Sequence, residues 1–74
     1  MIFKHEGYHT DGSLCVYGYD DNKAKIAIFR GFPDLRRNVV TLYPKVCLVP
    51  TKENIGKQVI SISELNRQTR LAHN

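Results

Sequence analysis

Apolar and polar residues alternate through much of the first half of the chain, a pattern typical of β-strands that turn one side towards a core. The run Thr10-Asp11-Gly12-Ser13 interrupts this alternation and contains Asp-Gly. Asp-Gly is a strong hairpin signal, because both central residues of a type I′ turn need a positive φ. A two-residue loop at Asp11-Gly12 places Tyr8 opposite Cys15. The sequence therefore predicts that the chain begins with a β-hairpin.

A second turn is predicted at Asp20-Asp21-Asn22-Lys23, since Asp and Asn favour a reversal of the chain. A loop at Asp21-Asn22 places Tyr17 opposite Ile26 and extends the hairpin into a meander. In this register one side of the sheet collects Ile2, Tyr8, Cys15, Tyr17, Tyr19, Ile26 and Ile28, and the other collects Phe3, His5, His9, Leu14, Val16, Ala27 and Phe29. Because both sides are partly apolar, we expect a sheet that curls or is covered on both sides.

The second half of the chain continues with strand-like runs that prolines interrupt. Val39–Tyr43 is β-branched and aromatic, which favours a strand. Pro44 cannot donate a ladder hydrogen bond, so it predicts an edge, a bulge or a break. The strand pattern then resumes at Val46–Val49, Pro50 stops it, and a loop is expected from Thr51 to Lys57. A short strand is predicted at 58–60.

The last segment of the chain predicts a helix. Ser61-Ile62-Ser63-Glu64 has the pattern of a capping box, in which Ser61 caps the helix and Glu64 bonds back to the Ser61 amide. Apolar and small residues then recur at helical spacing, at Ile62, Leu65, Thr69 and Ala72, while Asn66, Arg67 and Arg70 fall on the solvent side. A helix of about two to three turns is marginal alone, so this apolar stripe must dock on the sheet.

Together these elements predict one β-rich α+β domain that covers residues 1–74. We expect a four- or five-stranded antiparallel meander, or a small SH3-like or OB-like barrel, with a C-terminal helix. A chain of 74 residues buries only roughly 60% of its unfolded surface, so its stability is marginal without a disulfide, a metal or a partner subunit.

The charge of the chain is unevenly distributed. The formal net charge is +4. Residues 1–22 carry one lysine against four acids, whereas residues 23–45 carry six basic side chains against one acid. This basic middle third indicates a partner of acidic character.

Histidine and cysteine invite a zinc site, but their spacing argues against one. The chain has no Cys-x-x-Cys pair. His5 and His9 are four residues apart on a predicted strand, which separates them by roughly 13 Å at about 3.3 Å per residue. Cys15 and Cys47 lie in apolar strand patterns and are expected to be packed thiols. A disulfide between them stays an alternative, because sequence spacing does not determine the distance between their Cα atoms.

No pattern in the chain names a reaction. Asp20 and Asp21 belong to a predicted turn, where Asp is wanted for local hydrogen bonds rather than for acid–base catalysis. The sequence contains neither a P-loop nor a GxGxxG motif. We therefore expect a protein that is not an enzyme and that needs neither a cofactor nor a metal.

The segment FRGFPDLRRN, residues 29–38, is the main candidate for a binding function. Pro33 suits the first position of a helical turn, Asp34 suits its first turn, and Asp34 is spaced to pair with Arg37. These local roles leave Arg30 and Arg36 unexplained. Basic side chains mixed with aromatic rings are what single-strand binding needs.

We accordingly predict one main site and one secondary basic surface. The main site, for a nucleic acid or another acidic partner, comprises Lys25, Arg30, Phe32, Arg36, Arg37, Tyr43 and Lys45. The secondary basic surface comprises Arg67 and Arg70, which either extend that site or cover apolar surface with their stems.

Two functions are compatible with these features. The first is a protein-interaction subunit, adaptor or inhibitor, because a marginal domain with two partly apolar sheet sides can complete its core in a homo-oligomer or a larger assembly. The alternative is a small β-barrel that binds single-stranded DNA or RNA through the basic patch. The chain lacks the residue order of a signal peptide and any apolar run of about 18 residues, so we expect a cytoplasmic protein with no membrane contact.

Overall fold

The computed structural model describes residues 1–47 and 56–72, apart from the side chains of Val46 and Cys47. It contains β1 (Ile2–Tyr8), β2 (Leu14–Tyr19), β3 (Lys25–Asp34), β4 (Val39–Cys47), β5 (Gln58–Ser61) and α1 (Ile62–Leu71). The strands form one antiparallel sheet in the order β1-β2-β3-β4-β5, which curls into half a barrel. The predicted β-rich α+β fold is confirmed. The predicted strand end at 48–49 and the loop at 51–55 lie outside the described residues.

The first hairpin forms, but its predicted register is wrong. The His9 amide donates to the Ser13 carbonyl at 2.7 Å, the Gly12 amide donates to the His9 carbonyl at 3.0 Å, and Gly12 has a φ of 87°. A three-residue loop that ends in a left-handed glycine has this pattern. The additional loop residue moves Tyr8 opposite Leu14, instead of Cys15.

Bulges change the register further along the sheet. An irregularity between His5 and Gly7 leaves Glu6 unpaired, so that His5 lies opposite Val16. The second turn is also longer than predicted, because Asp20 and Ala24 close it and Lys23 adopts a φ of 62°. Tyr17 therefore pairs with Ile28, instead of Ile26.

The turn between β3 and β4 also differs from the prediction. Pro33 and Asp34 complete β3 instead of beginning a helical turn. Asp34 Oδ1 accepts hydrogen bonds from the amides of Arg36 and Arg37 at 3.1 and 3.4 Å, and the predicted Asp34–Arg37 ion pair forms at 3.9 Å. The Asp34 side chain thus orders the turn from the end of a strand.

Pro44 lies at a bulge, which is one of the three possibilities predicted for it, an edge, a bulge or a break. Phe29 lies opposite Pro44, whereas Ile28 lies opposite Val46. Lys45 is therefore the additional residue of β4.

One side of the sheet forms the core together with the helix. The fully or nearly buried apolar residues are Phe3, Leu14, Val16, Ala27, Phe29, Val40, Leu42, Ile60 and Leu65. The sequence placed five of these residues together on one side of the sheet, namely Phe3, Leu14, Val16, Ala27 and Phe29, and all five are buried. Tyr8 was predicted on the opposite side, but its partner Leu14 belongs to the core, and directly paired residues share a side.

The core is tight at Gly31. A Cβ added to this buried glycine would lie 2.9 Å from Val40 Cγ1 and 3.1 Å from Leu42 Cδ2. The glycine therefore allows close packing on the concave side of the curled sheet.

The helix α1 closes the β1 edge of the sheet. Ser61 Oγ accepts a hydrogen bond from the Glu64 amide at 3.0 Å, which confirms Ser61 as the predicted N-cap, while the Glu64 carboxylate accepts from Arg67 Nε. Leu65 and Thr69 are buried against the sheet. Gln68 Oε1 accepts from the Phe3 amide at 2.9 Å and Thr69 Oγ1 accepts from the His5 amide at 3.1 Å, so helix side chains satisfy two amides of an edge strand.

No helix in the described part of the chain is long and apolar enough to span a membrane.

Candidate functional site

The side of the sheet that faces away from the core is half-exposed, and it is called the outer face here. Alternation along β2 and β3 places the residues between the core positions on this face. Cys15, Tyr17, Tyr19, Ile26 and Ile28 are half-buried there. The outer face is thus a broad, partly apolar surface, and the end of the helix approaches it only at Tyr19, which lines a pocket with Leu71 and Ala72 in the described part of the chain.

Two rings near the end of β3 and on β4 give the outer face its most exposed aromatic surface. Phe32 and Tyr43 are 45% and 44% exposed, and their ring centroids lie 5.6 Å apart at an interplanar angle of 73°. With Thr41 they line a shallow, open depression. Val59 of β5 lies opposite Thr41 and extends the apolar surface. An open depression with flat apolar walls suits a planar group.

A cation lies over each of these rings. Arg30 Cζ is 5.4 Å from the centroid of Phe32, and Lys57 Nζ is 5.5 Å from the centroid of Tyr43. Cations at this distance are attracted by the electron-rich ring faces. We call Arg30, Phe32, Thr41, Tyr43 and Lys57 the outer aromatic patch.

Arg30 is held in place by the first hairpin. Its Nε donates to Ser13 Oγ at 3.1 Å, and its guanidinium pairs with the Asp11 carboxylate. Asp11 also accepts hydrogen bonds from the Ser13 hydroxyl at 2.6 Å and from the Ser13 amide at 3.0 Å. These bonds from Ser13, and then Arg30, lower the pKa of Asp11 to about 2. The network limits the orientations that the Arg30 guanidinium can adopt at the patch.

A third ring–cation pair lies further along the outer face. Lys25 Nζ is 3.9 Å from the centroid of the Tyr17 ring. Hydrogen bonding with Glu6, and then with Cys15, raises the pKa of Tyr17 above its ordinary value. Cys15 is a free thiol. The described part of the outer face therefore presents three ring–cation pairs in two places, two in the outer aromatic patch and one at Tyr17 and Lys25.

The predicted site residues are distributed over one face and one turn. The structure brings Arg30, Phe32 and Tyr43 together in the outer aromatic patch and places Lys25 on the same face. Arg36 and Arg37 are exposed in the turn that follows β3, and Lys45 is exposed at the bulge of β4.

The predicted secondary basic surface lies elsewhere. Arg67 and Arg70 are exposed on α1, which packs on the core side of the sheet, and Arg67 Nε bonds to Glu64 at 2.7 and 2.8 Å. The helix residues therefore do not extend the outer aromatic patch.

Sequence reasoning did not include Lys57, Thr41 or Tyr17 among the site residues, although it placed Tyr17 on this side of the sheet. Lys57 precedes β5, and only the pairing of β5 with β4 brings it to Tyr43. Tyr17 and Thr41 carried a usable signal, because each occupies an alternating position on the side opposite the core.

A second concave feature lies between the tips of the two hairpins and the helix. This end hollow has a volume of about 320 Å³, and its walls include Leu14, Pro33, Val40, Ile62 and Leu65. Two exposed side chains stand on its lining, Leu35 at 82% and Tyr8 at 73%. It is an apolar cavity on the core side of the sheet, separate from the outer aromatic patch.

Within residues 1–47 and 56–72, no three His, Cys, Asp or Glu side chains are grouped as metal ligands. The outer face offers flat rings for stacking and cations for anionic groups. No protein-family model, no curated protein and no solved structure matches this chain.

Proposed function

We propose that this chain is a non-enzymatic binding module that holds a negatively charged partner on the outer aromatic patch. The observation that carries this proposal is the pairing of each exposed ring, Phe32 and Tyr43, with a cation, Arg30 and Lys57. Exposed rings offer contact area to a planar group and the cations beside them offer charge to an anion, which are the two contributions that such a partner needs.

The charge of the molecule supports an anionic partner. The chain carries a net charge of +4, and Lys25 adds a further cation to the same face as the patch. Exposed Arg36 and Arg37 lie in the turn that follows the strand of Phe32. A surface of this kind attracts anions from solution and loses that attraction as salt screens the charges.

Titration with inorganic polyphosphate, followed by amide chemical shifts, tests this proposal. We expect shifts at the outer aromatic patch and weaker binding at higher salt. Lys25→Ala with Lys57→Ala should lower the affinity severalfold. Arg67→Ala with Arg70→Ala is the matched control, since it removes the same charge from the helix side. Equal losses in both double variants, or shifts confined to α1, would contradict the proposed surface.

A second candidate function is a subunit that assembles with a further copy of itself at the end hollow. The specific observation is the exposure of Leu35 and Tyr8 beside an apolar cavity of about 320 Å³. Exposed apolar side chains around a cavity are typical of surfaces that become buried on association. A homodimer would also offset the small core of a chain of 74 residues.

Light scattering across a range of concentrations tests the self-assembly. We expect a dimer, and we expect Leu35→Asp to shift it towards the monomer, because a charge on the cavity rim is costly to bury. A monomer at every concentration would contradict this second candidate and would leave the anion-binding proposal untouched.

A further inference from the structure

We infer that the anionic partner of the outer face is a single-stranded nucleic acid whose bases stack on the rings and whose phosphates meet the cations. This inference rests on the proposed binding function and names the chemistry of the partner. It follows from the repeated association of one flat ring with one cation, at Phe32 with Arg30, at Tyr43 with Lys57 and at Tyr17 with Lys25.

A single strand matches this arrangement because it offers both a flat apolar base and a charged phosphate in every nucleotide. Base stacking on aromatic side chains is tolerant of sequence, and the phosphate contacts add affinity that depends on salt. In a duplex the base faces are stacked on one another, so the rings of the outer face have nothing to stack on. A peptide of Asp and Glu alone would engage the cations but would supply no aromatic ring to stack on the rings of the outer face.

The layout of the sheet indicates that the site spans more than one nucleotide. Arg30 lies opposite Tyr43 on β4, while Tyr17 of β2 lies opposite Ile28, two residues earlier on β3. Tyr17 and Tyr43 are two strands apart across the sheet and two residues apart along it. The two displacements are perpendicular, so the Cα atoms of Tyr17 and Tyr43 are separated by roughly 12 Å. That separation is larger than one stacked base, so the two ring positions require an oligonucleotide of about four nucleotides or more.

Arg30 occupies the interval between these two ring positions. Its side chain is directed by Asp11 and Ser13, and it keeps its charge beside the Phe32 ring. A guanidinium plane next to a ring can stack on a base as well as contact a phosphate. Asp11 is therefore a positioning residue that acts on the bound nucleic acid through Arg30, even though the charge of its own carboxylate repels phosphate.

The decisive experiment compares three fluorescent ligands by anisotropy at one salt concentration: a twelve-residue oligothymidine, an abasic oligonucleotide with the same number of phosphates, and a duplex of equal length. We expect the oligothymidine to bind at least about tenfold more tightly than the abasic strand, since each stacked base contributes about that much or more. We expect the duplex to bind no better than the abasic strand.

Variants assign the effect to the rings. Phe32→Leu and Tyr43→Leu keep an apolar side chain, so the fold is retained, but they remove the flat surface. Each should reduce the oligothymidine affinity about tenfold and leave the abasic affinity within about twofold. Tyr8→Leu is the matched control on the core side, and it should change neither the oligothymidine affinity nor the abasic affinity. A length series should show affinity rising steeply up to about four nucleotides.

The outcomes of the ligand comparison distinguish a failure of the nucleic-acid inference from a failure of the proposed anion-binding function. If the abasic strand, or polyglutamate as a competitor, binds as tightly as the oligothymidine, the nucleic-acid inference is overturned while anion binding stands. If the duplex binds as tightly as the single strand, the stacking inference also fails. If no anionic ligand binds, both proposals fail together.

Discussion

At the scale of single residues, Asp11 connects the first hairpin to the outer aromatic patch. Its carboxylate accepts two hydrogen bonds from Ser13 and pairs with Arg30. One exposed acid thus orders a turn and directs a cation of the outer aromatic patch.

The low pKa of Asp11 predicts a pH dependence of stability. Its pKa in the folded protein is about 2, compared with an ordinary value of 3.8. Because the folded state lowers this pKa, the stabilisation is present above pH 3.8 and is lost as the pH falls through about 2. The stability difference between the wild type and Asp11→Asn should therefore be present at about pH 6 and should shrink below about pH 4.

Urea unfolding at several pH values measures this difference. Ser13→Ala supplies the control, since Ser13 is the largest cause of the shift in pKa. In the Ser13→Ala variant, Asp11→Asn should change the free energy of unfolding by less than it does in the wild type. A difference that is independent of pH would show that the carboxylate is not stabilised by folding.

Ser61 is a second residue whose contribution is measurable alone. It caps α1 by accepting from the Glu64 amide. Ser61→Ala should destabilise the protein by about 1 kcal/mol. In a domain of this size that loss lowers Tm by roughly 4–8 °C. Ser61→Asp retains an acceptor, so its thermal unfolding should stay close to that of the wild type.

At the scale of elements, the strands were predicted more accurately than their pairing. Side-chain alternation sorted Phe3, Leu14 and Phe29 onto the core side, because that property depends only on the period of a strand. The register depended on the number of residues in each loop and bulge. The left-handed conformation of Lys23 and the bulge at Glu6 carry no local signal, since Lys and Glu favour neither.

The same limit applies to the candidate site. Arg30, Phe32 and Tyr43 could be selected from the sequence because they combine charge and aromatic surface in adjacent strands. Lys57 could not, because its neighbour Tyr43 is 14 positions away and is reached only through the β4–β5 pairing. The assignment of Pro33 to a helical turn failed because β2 pairs with β3 only as far as Gly31, so Pro33 lies at an edge position of the sheet, which tolerates proline.

The packing between β3 and β4 gives a prediction at this scale. Gly31→Ala would place a methyl group against Val40 and Leu42 in the closed core. We expect a loss of about 1–3 kcal/mol, because a packed core cannot move aside without strain. Gly7→Ala is the control, since a Cβ at Gly7 meets nothing within 4 Å. Equal thermal unfolding of both variants would contradict the close packing at Gly31.

At the scale of the whole molecule, the helix and the outer face have separate roles. The helix covers the core side and contributes Leu65 to the core, so its exposed arginines face away from the outer aromatic patch. Among the described residues, those on the opposite side of the sheet carry the ring–cation pairs. This division predicts that the proposed binding surface can be altered without disturbing the core.

The contact between α1 and β1 predicts an effect on the whole fold. Gln68→Leu with Thr69→Val removes the acceptors of the Phe3 and His5 amides while it keeps the helix apolar. We expect a loss of roughly 1 kcal/mol for each hydrogen bond and faster hydrogen exchange at these two amides. Arg70→Leu is the control, and unchanged exchange in the double variant would contradict this role of the helix.

Two side-chain oxygens of α1 stand where a neighbouring strand would otherwise bond to β1. A chain that lost this helix would offer β1 as a template to any other extended polypeptide, including another copy of itself. The ten-residue helix α1 therefore also protects the protein from fibrous self-association. Any condition that detaches α1 from β1 should increase the tendency to form fibres.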